Sequence, residues 1–83
     1  MDPEAISTEL KTFLQEKFPN PGQELSADTD LLSSWFIDSL GIVQTVIFLE
    51  TNFGCEVKPE DMVAENFETV ERLTEFVLRQ QQE

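Results

Sequence analysis

The stretch from Ser39 to Phe53 constrains the fold more than any other part of the chain. It holds no proline and no charge before Glu50, and its apolar residues recur every three or four positions until Gly54 interrupts them. Val46, Leu49 and Phe53 form an inward row at helical spacing, flanked by Phe48 and by Ile42 or Val43. Asp38 stands immediately before it and is a good N-cap. Its carboxylate can accept bonds from the free N–H groups of the first turn, and it sits at the positive end of the helix dipole. The chain therefore offers a helix with a fixed start and an apolar stripe that other elements must cover.

Two further stretches supply that cover. Asp2 reads as an N-cap with Pro3 at the first helical position, where a missing N–H has no intrahelical partner to lose. Ile6, Leu10, Phe13, Leu14 and Phe18 then make one apolar stripe, which Pro19, Pro21 and Gly22 stop. Near the other end Thr69 reads as the N-cap of a last helix that turns Val70, Leu73, Phe76 and Val77 inward. Residues 78–83 are predicted to be a polar, frayed tail. Lys58 to Glu65 reads as one short helix with Pro59 at its first position, after a connection in which Val57 plugs into the core.

From Pro19 to Ile37 no period persists. Turn formers alternate with Leu25, Leu31, Leu32, Trp35, Phe36 and Ile37. A connection of this length is unusual in a compact domain and often functional. Its apolar residues predict that it is packed down. The expected architecture is all-α: a small four-helix bundle of three major helices and one short one, with a long loop between the first and second, forming a single domain over 1–83. Both a parallel and an antiparallel arrangement of the first two helices remain open.

Charge narrows the function classes. The chain has 17 acidic and 5 basic residues, a formal net charge of -12 at pH 7. A nucleic-acid backbone is bound by lysines and arginines that displace counterions, and an anionic membrane surface by basic clusters. This balance opposes both and favours basic partners. There is no histidine, so Ser–His and Cys–His catalytic pairs and the commonest metal ligand are absent. Cys55 is the one cysteine. It can form no intrachain disulfide, and a reducing cytoplasm fits. No apolar run resembles a signal peptide or reaches transmembrane length.

The chemistry-bearing patterns reduce to one. Asp28-Thr29-Asp30 invites comparison with a calcium loop, but Leu32 and Ser33 stand where a ligand and a glycine are needed, and Ser39 where a bidentate Glu belongs. Glu60/Asp61 and Glu71/Glu75 read as solvated faces of a chain too small to bury a substrate pocket. That leaves Ser39, at the very start of a helix with its hydroxyl in solvent. It is either an incidental part of a cap or a place to attach or bind a phosphate.

Here the residues resemble a known family. Ile37-Asp38-Ser39-Leu40-Gly41-Ile42-Val43-Gln44, with Phe48-Leu49-Glu50 and Phe53-Gly54-Cys55-Glu56-Val57 downstream, is similar to the attachment helix of acyl carrier proteins. Glu65-Asn66-Phe67-Glu68-Thr69-Val70-Glu71-Arg72-Leu73 is similar to their last turn and last helix. The resemblance spans about Leu31 to Val77. It implies a non-catalytic carrier in which Ser39 receives 4′-phosphopantetheine from coenzyme A, donated by a phosphopantetheinyl transferase. The arm would hold an acyl or aminoacyl group as a thioester. An adenylating acyl or aminoacyl ligase would load it, and a downstream acyltransferase or synthase would unload it. Gly41 followed by Val43-Gln44 looks most like standalone carriers such as D-alanyl carriers. This implies a monomer serving secondary-metabolite (polyketide or nonribosomal peptide) or aminoacyl-transfer biosynthesis. An arm-less interaction module on the same fold is the alternative.

Departures from the family pattern bear on partners. Members usually carry several acidic residues along the second helix, whereas Gln44, Thr45 and Thr51 occupy such positions here. Docking is therefore expected to lean on Leu40, Val43 and Ile47, with Asp38 and Glu50 as outlying charges and Gly41, Gln44 and Met62 beside them. Ile47 fits either this ridge or the core. Trp35, where the family commonly has a small residue, is either a core plug or a partner contact.

Overall fold

The computed structural model describes residues 2–18, 24–33 and 38–81. Among the described residues four α-helices carry the fold: α1 (Pro3–Lys17), α2 (Ser39–Phe53), α3 (Ala64–Phe67) and α4 (Val70–Gln81), with a 3-10 turn over Pro59–Asp61 between α2 and α3. Helix ends follow local side-chain chemistry. Asp2 accepts from the Glu4 N–H at 3.1 Å, and Pro3 opens α1. Asp38 caps α2, and Gly54 ends it in the left-handed region with φ 67°, where a side chain would be strained. Thr69 Oγ1 accepts from the Arg72 N–H at 3.0 Å and starts α4.

The core is one cluster. Ile6, Leu10, Phe13 and Leu14 of α1 meet Val70, Leu73, Phe76 and Val77 of α4, with Leu49 of α2 and Phe67 of α3 completing it. Ile42, Val46, Phe48, Phe53 and Val57 pack half-buried against it, so of the expected inward row of α2 Leu49 is buried while Val46 and Phe53 are half-buried beside it. Leu25 and Leu31 are buried as well. The segment carrying them is tied down by its backbone: the Leu31 N–H donates to the Glu68 carbonyl at 2.7 Å, and the Glu71 N–H to the Ala27 carbonyl at 3.0 Å. Within that segment Asp30 Oδ1 accepts from the Leu32 and Ser33 N–H groups, and Ser26 Oγ donates to Asp28. Both carboxylates shape turns.

Two sequence expectations are corrected. The single short helix over 58–65 is a 3-10 turn and a separate α3, broken at Met62 and Val63. The break is conformational: Val63 adopts φ -114°, ψ 151°, an extended geometry that suits a β-branched residue. Residues 78–81, read as part of a polar tail, belong to the last helix: α4 runs to Gln81, and Leu78 packs half-buried against the core.

Candidate functional site

Ser39 is the first residue of α2 and is exposed. The geometry around it comes from the cap. Asp38 Oδ1 accepts from the Gly41 N–H at 2.9 Å, and the Asp38 carbonyl accepts from the Ile42 N–H at 2.9 Å. The N–H groups of Ser39 and Leu40 have no partner among the described residues. The first turn of α2 contains no acidic residue, so only the cap itself places a negative charge there. An exposed hydroxyl thus stands beside unused N–H groups at the positive end of a 15-residue helix, a setting that accepts a phosphodiester.

Beyond Ser39 the outer face of α2 is apolar. Leu40 is 65% exposed, Val43 45% and Ile47 56%. They lie three and four residues apart and so share one face. The choice left open for Ile47 falls on the exposed side. Gln44 is exposed on the same face. Gly41 is not: it is buried, facing inward in one row with Thr45 and Leu49 at four-residue spacing. It is therefore corrected from a surface contact to a packing position. Thr45 is buried without cost because its hydroxyl donates to the Gly41 carbonyl at 2.8 Å. The signal for this pair was present in the spacing of Gly41, Thr45 and Leu49.

Two expected contacts have further duties. Glu50 is exposed, but its Oε2 accepts from the Val57 N–H at 3.3 Å and clips the connection after α2. Met62 is exposed beside Val63, which the sequence did not single out, and its N–H closes the 3-10 turn onto the Pro59 carbonyl at 3.2 Å. Trp35 lies outside the described residues, as do Phe36 and Ile37. Cys55 is buried in the connection that Glu50 clips. Burial pushes its thiol pKa up, and the Glu50 carboxylate adds to the rise, which is the reverse of what a nucleophile needs.

Comparison with known proteins gives the family in which this helix start is found. Residues 8–77 match the family model described as "Phosphopantetheine attachment site". The chain belongs to this family. It is also 28% identical over 72 residues to acyl carrier protein 2 of Pseudomonas aeruginosa (strain PAO1), covering 87% of this chain and 89% of that one. A member of the phosphopantetheine family is a non-catalytic carrier whose prosthetic group is a covalently attached 4′-phosphopantetheine, and this chain is such a carrier. Carriers of this kind meet a phosphopantetheinyl transferase and the synthases that use their cargo. No helix among the described residues is long and apolar enough to cross a membrane.

Proposed function

We propose that Ser39 is the residue that bears the arm. The observation that carries this reading is an exposed serine hydroxyl at the first position of α2, inside the span that matches the family. Asp38 holds the helix start in place, and the unused N–H groups of Ser39 and Leu40 leave the positive helix end free to favour a phosphodiester. The arm supplies a thiol that holds a cargo as a thioester. The chain's own part is to present Ser39 on a rigid helix end and to offer the transferase and the loading enzyme one face to grip.

That face is the basis for a narrower reading. Leu40, Val43 and Ile47 are exposed and uncharged, Gln44 lies among them, and Glu50 is engaged with Val57. Such a face suits partners that dock through apolar contact more than through charge pairing. This supports loading by an adenylating acyl or aminoacyl ligase and use in secondary-metabolite or aminoacyl-transfer biosynthesis. The buried free thiol of Cys55 supports a reducing, cytoplasmic setting.

The test is intact-mass spectrometry of the apo protein after incubation with coenzyme A and a broad-specificity phosphopantetheinyl transferase. The expected result is a gain of one arm in the unaltered chain and none in Ser39→Ala. The same gain in Ser39→Ala would contradict the assignment.

A further inference from the structure

A groove of about 270 Å³ lies between α1 and α2. Its floor is the pair Phe13 and Phe48, whose rings stack with centroids 4.1 Å apart and planes 19° from parallel. Phe13 is buried and Phe48 half-buried, so the aromatic surface open to the groove belongs to Phe48. Thr8, Thr12 and Asn52 form the walls. Each uses its donor on its own helix: Thr8 Oγ1 donates to the Glu4 carbonyl at 2.9 Å, Thr12 Oγ1 to Thr8 at 3.0 Å, and Asn52 Nδ2 to Phe48 at 3.1 Å. The walls therefore have few donors left for an anion.

The rim is acidic. Glu9 and Glu16 border the groove, about two turns apart on α1. Both are exposed, and the ion pairs among the described residues are those of Arg72 with Glu68 and Glu75. The groove continues past Thr8 and Glu9 into a second depression, lined in addition by Asp2, Glu4 and Ala5. No lysine or arginine lines either part. Free carboxylates beside an accessible aromatic ring match one side chain best. An arginine can lay its stem and guanidinium plane on the ring while the guanidinium donates to carboxylates. The same rim repels phosphate, nucleic acid and anionic lipid.

We propose that this groove docks a basic amphipathic segment of a partner protein, with an arginine laid over Phe48 and held by Glu9 and Glu16. Phe48 is nine residues past Ser39, which places it about 180° around α2. A partner held in the groove therefore lies on the side of α2 away from Ser39 and Val43, with Leu40 and Ile47 between the two sides. One protein can hold the carrier from this flank while another works on the opposite one.

The experiment is an amide NMR titration of the full chain with a helical peptide carrying Arg and Leu along one face. The same peptide with Glu in place of Arg is the control. The expected result is saturable binding of the Arg peptide alone, with shifts concentrated at residues 8–16 and 48–52. Glu9→Gln with Glu16→Gln weakens it about fivefold, from two exposed charge pairs. Glu56→Gln with Glu71→Gln removes the same net charge elsewhere and leaves affinity unchanged. Thr12→Arg, at an exposed helical position, supplies the cation from within and blocks binding while the amide spectrum stays that of a folded chain. Equal weakening by the two double variants, shifts centred on Leu40 to Ile47, or absence of saturable binding would each overturn the proposal.

Discussion

On the proposed reading, Ser39 and Ile47 give the same helix two tasks through residues eight positions apart. Ser39 needs exposure and a fixed start, both of which follow from Asp38 bonding the Gly41 N–H at 2.9 Å. Ile47 needs exposure without a structural duty, and its 56% exposure meets that condition. Ile47→Asp should therefore leave thermal unfolding within about 1 kcal/mol of the unaltered chain. The same change should slow loading by a partner enzyme about tenfold, as loss of a central apolar contact does. Circular dichroism and a loading assay on the same sample check both halves, and loss of the helical fold would place Ile47 in the core instead.

At the scale of elements, the helices were legible where side chains declare their role. Asp2 with Pro3, Asp38, Gly54 and Thr69 each mark a helix end by chemistry that acts within a few residues, and each end lies where that chemistry puts it. The inward stripes of α1 and α4 were legible for the same reason. What the sequence did not display is carried by backbone or by satisfied polar groups. The bonds from Leu31 to Glu68 and from Glu71 to Ala27 involve only main-chain atoms, which no residue pattern encodes. Thr45 and Thr74 read as polar yet are buried, since each donates to the carbonyl four residues back. At the site, spacing put Leu40, Val43 and Ile47 on one ridge but left Ile47 open between surface and core, and its exposure, the burial of Gly41 and the clip from Glu50 to Val57 depend on tertiary packing.

Cys55 gives the connection after α2 a pH dependence. Burial of its thiol, and secondarily the nearby Glu50 carboxylate, opposes its ionisation, so its folded pKa lies above the ordinary 9.0. A raised folded value contributes stability that is fully present below the unfolded pKa and is lost as pH rises through the folded one. Stability should hold up to about pH 9 and fall above it, and Cys55→Ala should flatten that alkaline limb. Denaturant melts across the alkaline range measure this; an identical limb in both proteins would show that other groups cause it.

For the molecule as a whole, charge is the dominant field. A net charge of -12 is held within a radius of gyration of 11.7 Å. The ion pairs of Arg72 are half-exposed and offset little of it. Screening should therefore stabilise the fold. Raising salt, or adding a divalent cation, should increase the melting temperature by about 4–8 °C, equivalent to about 1 kcal/mol in a domain of this size. A melting temperature indifferent to both would contradict the role given to repulsion. The same field suits a molecule that meets its partners through basic or apolar surfaces and stays clear of nucleic acid. The proposed role of Ser39 is tested most directly by locating the arm. The chain converted with coenzyme A and a transferase should be fragmented and the arm assigned to a residue by tandem mass spectrometry. The expected result is an arm on Ser39 alone; an arm on Ser26, Ser33 or Ser34, or a folded chain that takes up none, would contradict that role.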